Sequence, residues 1–281
     1  MGASALVPGG RRVDLHAHTL FSDGLLTPEA LVARAIDRRL AALAVTDHDT
    51  VEALPRARLA AGTALELVPG IEMSTSLEGA ELHILGFYVN PEHAALRDRL
   101  ERFQQERRDR AQSIIERLRE LGAAVDLETV MELAGPGVVG RPHVAEAMVR
   151  AGLVADFDDA FVRYLGNQAP AYVPRPAFSA GEAIALIHAA DGVSVLAHPG
   201  PQMPDSVIER LRASGLRGIE VWHPQHGNAT VRRYRALAER LGMLETGGSD
   251  FHAEHRGADL GDLPVPVTVL DPLKQAAGVT G

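Results

Sequence analysis

Two histidines at alternate positions mark the segment of this chain with the clearest chemical potential, the run DLHAH at positions 14–18. Residues i and i+2 of a strand point to the same face, so His16 and His18 can direct two imidazoles at one point. Asp23 follows in the next turn. Imidazole and carboxylate are ligands that borderline divalent metals accept. The segment therefore predicts a metal site, although a single His-x-His pair also arises by chance on protein surfaces.

Residues of the same kind recur within or at the ends of later strand-like segments. These further candidates are His48, Glu72, His83, His198, Asp250 and His252. In parallel α/β folds the carboxyl ends of the strands form one rim, so we expect these side chains to converge there. Nine candidate ligands without a thiolate are too many for one tetrahedral site and suit two or three metal ions. A bridging carboxylate, for which Glu72 is the candidate, holds such ions about 3.5–4 Å apart.

Each of these residues also has a simpler interpretation. A buried histidine at a strand end is often a hydrogen-bonded core residue, and Glu72 alone could cap a helix or lie on the surface. We assign His93, His188 and His255 to the surface because their contexts are polar or helical. We expect Asp49 to cap or begin the following helix and leave it out of the ligand set. The recurrence of the pattern favours the metal site.

Strand-like and helix-like segments alternate in the two outer thirds of the chain, which predicts a parallel α/β sheet or barrel. The first helix begins at Thr27 and Pro28, where Thr can cap and Pro fits the first turn. Residues 91–122 have the pattern of one long charged helix, followed by shorter helices. We expect two barrel halves and, between them, a helical insertion that caps the active site, with boundaries at 12–90, 91–177 and 178–281. The Pro- and Gly-rich tail after residue 262 is expected to wrap the surface.

Composition limits the classes of function. The chain has 281 residues and a net charge of −9. It contains no cysteine, which excludes disulfides and thiolate metal sites. The acidic balance argues against a duplex nucleic-acid partner, which usually requires a basic face. No apolar run approaches the roughly 20 residues that span a bilayer, and the first residues lack the apolar core of a signal peptide. We expect a cytoplasmic protein without a membrane or an obligate protein partner.

Six motifs in this order resemble the PHP family (polymerase and histidinol phosphatase): DLHAHT, SDG, TDHD, GIE, AHP and GSDFH. The resemblance runs from about residue 13 to residue 261 and implies an α/β fold, a distorted seven-stranded (β/α) barrel with an inserted helical subdomain. The family's metal ligands correspond to the nine residues named above. It also implies a phosphoesterase with two or three divalent ions, with Mn²⁺ favoured and Fe²⁺ or Zn²⁺ as alternatives. Such ions would lower the pKa of a bridging water and supply the attacking hydroxide.

Two motifs of the insertion, RPHVA at 141–145 and AYVPR at 171–175, resemble a subgroup of stand-alone PHP phosphoesterases. That subgroup acts on nucleoside 3′,5′-bisphosphates or on the 5′ end of short RNA. The resemblance implies that Arg141, with His143 beside it at a helix start, grips a substrate phosphate. The alternative is a plain helix start. Tyr172 and Arg175 could add a stacking face for a base and a cation.

Two further residues are candidates for roles around the metals. His226 follows Glu220 in a pattern E-x5-H that resembles the subgroup, and it could protonate the leaving oxygen or bind phosphate. His223 is less favoured because the subgroup comparison does not single it out. Asp47 is a candidate to orient a ligand histidine through a hydrogen bond without binding the metal itself.

Two other functions stay open from the sequence. A histidinol-phosphate phosphatase would keep the fold and change the substrate, but the subgroup motifs and the helical insertion count against it. A metal-stabilised binding module without turnover is the alternative from another class. The nine intact candidate ligands count against that module, because a degenerate family member would have lost several of them.

Overall fold

The computed structural model describes residues 11–254 and 257–279, so His255 lies outside the described residues. Within them, seven strands form one sheet whose order follows the chain: β1 (Val13–Asp14), β2 (Ala42–Val45), β3 (Glu66–Leu77), β4 (Ala80–Phe87), β5 (Val193–Leu196), β6 (Gly218–Trp222) and β7 (Leu244–Gly247). The backbone N–H of Leu15 donates to Gly247 O at 3.0 Å, and that of His18 donates to Phe251 O at 2.8 Å. These bonds join the last strand to the first, and the expected seven-stranded α/β barrel is confirmed.

The α-helices of the described residues lie between these strands and after β7, and much of the segment between β4 and β5 is helical. They are α1 (Pro28–Asp37), α2 (Leu54–Ala61), α3 (Ala94–Glu120), α4 (Leu127–Ala134), α5 (Arg141–Arg150), α6 (Phe157–Ala160), α7 (Ala180–Ala189), α8 (Asp205–Ala213), α9 (Asn228–Leu241) and α10 (Leu270–Ala276). Thr27 caps α1 as expected, because its hydroxyl accepts from the N–H of Ala30 at 3.2 Å. The tail includes a helix that the sequence did not predict, α10, which packs on the barrel with Leu270 and Leu273 buried and with Asp271 and Gln275 exposed. Neither described range contains a helix with the length and apolar character needed to cross a bilayer.

The expectation of a parallel sheet is wrong at β4. This strand pairs antiparallel with both β3 and β5, while the other neighbouring strands pair in parallel. The cause is a two-residue turn, Glu78 and Gly79, in which both residues have positive φ (53° and 83°), as hairpin turns require. His83 therefore reaches the site from the first half of β4 and not from a carboxyl end.

Helix α3 connects two apolar cores. Its first half contributes Leu96 and Phe103 to the core of the barrel. Its second half contributes Ile114 and Leu118 to a separate cluster of buried side chains drawn from residues 111–171. The long helix thus carries the packing from the barrel into the group of helices that stands beside the carboxyl ends of the strands.

A buried ion pair anchors α3 to the barrel. Asp49, fully buried and with φ at +52°, accepts from the N–H of Ser74 at 2.7 Å and from Nε of Arg107 at 2.9 Å. Arg107 also donates to Val139 O at 3.3 Å, immediately before α5. Asp49 does not cap α2, whose N-cap is Ala53, so the expectation of a helix cap is wrong. Its partner is an arginine distant in sequence.

Candidate active site

The carboxylate of Glu72, buried in β3, lies at the centre of the candidate site. Its Oε2 is 3.2 Å from Nε2 of His16, 3.3 Å from Nε2 of His18 and 3.0 Å from Nδ1 of His48. Among the described residues, Glu72 Oε2, His16 Nε2 and His48 Nδ1 are buried without a hydrogen-bond partner of acceptable geometry. Buried polar atoms without a partner are costly. Lone pairs of nitrogen and oxygen that converge in this way fit a divalent cation.

The other oxygen of Glu72 faces a different pair of imidazoles. Its Oε1 is 2.8 Å from Nδ1 of His83 and 2.9 Å from Nε2 of His198. Two oxygens that face two separate sets of nitrogens are the arrangement expected of a carboxylate shared by two ions. The backbone of His198 has φ at +25°, a strained conformation that is found mainly where a side chain must be aimed.

Asp23, Asp250 and His252 complete the cluster. Asp250 Oδ1 is 3.1 Å from Nε2 of His18, and Asp23 Oδ1 is 3.3 Å from Nε2 of His252. Three overlapping groups have ligand atoms within 4.8 Å of one another in the described part of the chain: His18, Asp23, His48 and His252; His16, His18 and Glu72; and His48, Glu72 and His83. With His198 and Asp250 in contact with these groups, the structure brings all nine predicted ligands together.

Glycine at position 248 allows this convergence. A Cβ there would lie 2.3 Å from the backbone nitrogen of His16, a distance that no side chain tolerates. The segment after β7 can therefore press against the segment after β1, and Asp250 can reach the histidines of DLHAH. Asp250 itself has φ at +52°, a second strained ligand candidate.

Burial and neighbouring carboxylates shift the pKa values of the histidines in opposite directions. Burial disfavours the charged form of His16, but Glu220 and two further carboxylates raise its pKa well above the ordinary value. Burial also lowers the pKa of His252, but the neighbouring Asp23 outweighs it and raises that pKa to about 10. Burial lowers the pKa of His48 to about 3 in spite of its acidic neighbours. Cations entering the cluster must therefore displace protons from some of these rings.

Glu220, which the sequence analysis named only as the start of the E-x5-H pattern, is a functional candidate in its own right. It is fully buried in β6, where it accepts from Nδ1 of His16 at 2.9 Å and from the N–H of His198 at 2.7 Å. A carboxylate behind a ligand histidine fixes the ring so that the other nitrogen faces the metal. The available signal was a lone acid inside the apolar run GIEVW at 218–222.

The contacts of His226 do not support a role as proton donor. Its Nε2 accepts from the N–H of Gly200 at 3.1 Å and its Nδ1 donates to Val221 O at 2.9 Å, so the backbone engages both nitrogens. His223, which the sequence analysis ranked lower, lies nearer to the candidate metal ligands than His226 does. Its Nε2 lies 3.3 Å from Asp250 Oδ2 at the edge of the cluster.

Asp47 reaches a ligand histidine only through another side chain. It accepts from the N–H and the hydroxyl of Thr19, both at 2.6 Å, and from the hydroxyl of Ser22 at 2.7 Å. The same Ser22 oxygen is 3.4 Å from Nδ1 of His18. Asp47 thus fixes the loop that carries His18, and Ser22 is the link between them.

A cavity of about 140 Å³ lies over the histidines; we call it the metal cavity. Asp23, His48 and His83 line one side of it, and residues 140–143 at the start of α5 line the other. His143 Nδ1 accepts from the N–H of Gly140 at 3.0 Å, which closes the first turn of the helix. The positive end of a helix dipole thus borders the same cavity as the candidate metal ligands.

Three arginines meet one carboxylate at the edge of the metal cavity; we call Arg110, Arg141 and Arg175 the arginine cluster. Glu81 Oε2 is 3.0 Å from Nη2 of Arg141, and its Oε1 is 3.8 Å from Nε of Arg175 and 4.0 Å from Nη2 of Arg110. The Tyr172 ring lies 5.6 Å from the guanidinium carbon of Arg141 and 5.8 Å from that of Arg110. The predicted stacking residue therefore supports two of the cations.

Two larger cavities adjoin the metal cavity. The first, of about 300 Å³, shares Glu81 and Arg175 with it and is lined by the rings of Phe103 and Phe178, so we call it the aromatic cavity. The second, of about 390 Å³, shares Asp23 and residues 142–143 with it, and we call it the outer cavity. The metal cavity thus has the aromatic cavity as one neighbour and the outer cavity as another.

Comparison with known proteins agrees with these features. The model of the PHP domain matches residues 14–106. The chain is 38% identical to the 5′-3′ exoribonuclease Rnm of Salmonella typhimurium, over 88% of this chain and 87% of that protein. It is 35% identical to the 3′,5′-nucleoside bisphosphate phosphatase of Chromobacterium violaceum, over 90% and 92% of the two chains.

Solved structures give the same result. A protein of Bifidobacterium adolescentis that is described as a metal-dependent phosphoesterase matches with a TM-score of 0.88 and 30% identity, over 96% of this chain and 97% of that one. A Chromobacterium violaceum amidohydrolase with bound sulfate and no metal matches with a TM-score of 0.84 and 32% identity, over 94% and 96%. The chain therefore belongs to the PHP family of metal-dependent phosphoesterases.

Proposed function

We propose that this enzyme hydrolyses a phosphate ester of a small nucleotide that carries a second phosphate. A nucleoside 3′,5′-bisphosphate and the 5′-phosphorylated end of a short RNA both fit this description. The observation that carries the proposal is the metal cavity itself, which has candidate metal ligands on one side and Arg141 at a helix N-terminus on the other. One phosphate would lie against the metals while the second meets the arginine.

The nine clustered residues would hold the metal ions, and their buried, unpartnered atoms fit that role. We expect two or three ions, with Mn²⁺ favoured over Fe²⁺ or Zn²⁺, for a ligand set of imidazole and carboxylate without thiolate. When bound, such ions lower the pKa of coordinated water and neutralise charge on phosphoryl oxygens. Glu220 and Ser22 orient the rings of His16 and His18 toward the ions.

Arg141 is held in position to bind the second phosphate. One of its terminal nitrogens donates to Leu165 O at 3.1 Å and to Asn167 Oδ1 at 2.9 Å. Its second terminal nitrogen, Nη2, donates to Glu81 and is therefore directed at the arginine cluster. A guanidinium fixed in this way loses little conformational entropy when it binds an anion.

The relatives support both forms of the substrate. One is named as an exoribonuclease and the other as a bisphosphate phosphatase, and a related crystal structure contains sulfate, an anion similar to phosphate. The outer cavity would give the remaining nucleotides of an RNA a path away from the metals. Histidinol phosphate has no second phosphate for the arginines, and a non-catalytic module would not need nine convergent ligands.

The test is hydrolysis of a small panel by the Mn²⁺-loaded protein. We expect adenosine 3′,5′-bisphosphate and a 5′-phosphorylated trinucleotide to be turned over with kcat/KM about a hundredfold above that of a 5′-mononucleotide or histidinol phosphate, because a paired Arg–phosphate contact can supply 2–3 kcal/mol. Equal activity on mononucleotide and bisphosphate, or a preference for histidinol phosphate, would refute the proposal.

A variant of Arg141 connects this selectivity to the structure. Arg141→Ala should raise KM for the bisphosphate and reduce its advantage over the mononucleotide, since the contact to the second phosphate is lost. The matched control is Arg163→Ala, which removes an exposed arginine of the insertion that pairs with Asp159. Unchanged selectivity in Arg141→Ala would remove Arg141 from the substrate site.

A further inference from the structure

We propose that Glu81 is an internal counter-ion that occupies the phosphate position of the arginine cluster in the free enzyme and lowers the affinity of that cluster for anions. The inference rests on the proposed function only in naming the anion as the second phosphate of the substrate. Glu81 lies on β4 two residues before His83, on the same face of the strand. One strand therefore brings a candidate metal ligand and this carboxylate to the same side.

The contacts of Glu81 leave the arginine cluster only partly satisfied. Its Oε2 is within hydrogen-bond distance of Arg141, but its Oε1 is 3.8 Å and 4.0 Å from the nearest nitrogens of Arg175 and Arg110. In the described part of the chain, Glu81 Oε1, Arg175 Nε and Arg110 Nη2 are buried and have no hydrogen-bond partner. A single carboxylate cannot reach three guanidinium groups, whereas a phosphate presents more oxygens to them.

The charges point to a phosphate as the missing partner. The three guanidinium groups of the cluster and that of the neighbouring Arg107 share two carboxylates, Glu81 and Asp49. Asp49 pairs with Arg107 and also lies 3.9 Å from Nη1 of Arg175, so two excess positive charges remain within the described residues. A phosphate monoester carries about −1.5 to −2 at neutral pH. A phosphate that contacts all three guanidinium groups at once would need the space between them, where the Glu81 oxygens now lie. Glu81 therefore competes with the ligand and opposes it by charge repulsion.

Glu81 also separates two spaces. It lines both the metal cavity and the aromatic cavity. A phosphate that displaces its carboxylate from Arg141 would lie where the two cavities meet. The alternative role for Glu81 is a clamp that keeps the three arginines in place, and that role predicts the opposite effect of a substitution, since loss of a clamp weakens anion binding.

Glu81→Gln decides between the two roles, with Glu106→Gln as the matched control. Glu106 lines the aromatic cavity but pairs with Arg99 at 3.0 Å and not with the cluster. Calorimetric titration of the Mn²⁺-loaded proteins with sodium sulfate should give a dissociation constant about tenfold lower in Glu81→Gln, because one repulsive charge a few ångströms away is gone. Glu106→Gln should match the parent protein, and sulfate at the metals would contribute equally to all three.

A dissociation constant in Glu81→Gln that is unchanged or higher, or an equal fall in Glu106→Gln, would overturn the inference. Should Glu81→Gln not fold, Glu81→Asp is titrated instead, since its shorter side chain keeps the charge but cannot keep the 3.0 Å contact with Arg141; its sulfate affinity should also rise. KM for the bisphosphate should fall in parallel with the sulfate constant. Tighter sulfate binding without bisphosphate turnover would refute the proposed substrate but not the role of Glu81.

Discussion

Glu220 determines which nitrogen of His16 faces the candidate metal centre. Because its carboxylate accepts a hydrogen bond from Nδ1–H, Nε2 is the nitrogen that faces Glu72, and it offers a lone pair once a cation has displaced its proton. We predict that Glu220→Gln weakens Mn²⁺ binding by about 10- to 100-fold, the usual cost of losing such a partner. Competition with a metal-binding dye measures it. Glu245→Gln, which changes a carboxylate of the neighbouring strand that pairs with Arg235, should leave the affinity unchanged. Equal affinities of all three proteins would contradict the assignment.

The protons on His16 and His252 make metal binding depend on pH. Their pKa values are raised, that of His252 to about 10, so both rings are protonated at neutral pH without metal. A cation must displace these protons, so affinity should fall as pH falls, by up to about tenfold per pH unit for each proton displaced. His48, with a pKa of about 3, adds no dependence in this range. Mn²⁺ titrations at pH 6, 7 and 8 measure the slope, and a constant affinity would contradict the prediction.

At the scale of elements, the β3–β4 hairpin contributes to both halves of the site. Glu72 on β3 is surrounded by the other candidate metal ligands, whereas on β4 His83 contacts Glu72 and Glu81 contacts the arginine cluster. The two strands pair over eight residue positions, from Gly70↔Phe87 to Leu77↔Ala80. This pairing fixes the distance between two candidate metal ligands, Glu72 and His83, and the Glu81 carboxylate that contacts the arginine cluster.

The buried pair of Arg107 and Asp49 joins α3 to that hairpin, because both side chains also contact Ser74 on β3. Arg107→Gln would leave the fully buried Asp49 without its hydrogen-bonded cation, with Arg175 at 3.9 Å as the remaining one, and we predict a loss of about 3 kcal/mol in the free energy of unfolding. The double variant Asp49→Asn with Arg107→Gln removes both charges and should recover much of that loss. Urea denaturation of the three proteins measures the effect. A double variant no more stable than Arg107→Gln would show that the ion pair is not the cause.

At the scale of the whole molecule, the sequence predicted the residues whose signal is local. Eight of the nine candidate ligands belong to six short motifs, and the ninth, His83, lies inside an apolar strand-like segment. Alternation of elements predicted a sheet or a barrel, and the family resemblance implied the barrel. Arg110 could not be found, since α3 carries many arginines and only tertiary packing buries this one to 6% exposure. The direction of β4 was also hidden, because an apolar strand has the same pattern in either direction. The role of Glu220 could not be predicted either, because the sequence does not show that its side chain lies beside His16.

The molecule as a whole joins a barrel that carries the candidate metal ligands to two helices and a loop that carry the arginine cluster. The most direct test of this arrangement is release of phosphate from adenosine 3′,5′-bisphosphate before and after exhaustive chelation, with elemental analysis of the same samples. We predict that the purified protein holds divalent ions, loses its activity when they are removed and regains it with Mn²⁺. Hydrolysis at full rate by the metal-free protein would contradict the central claim.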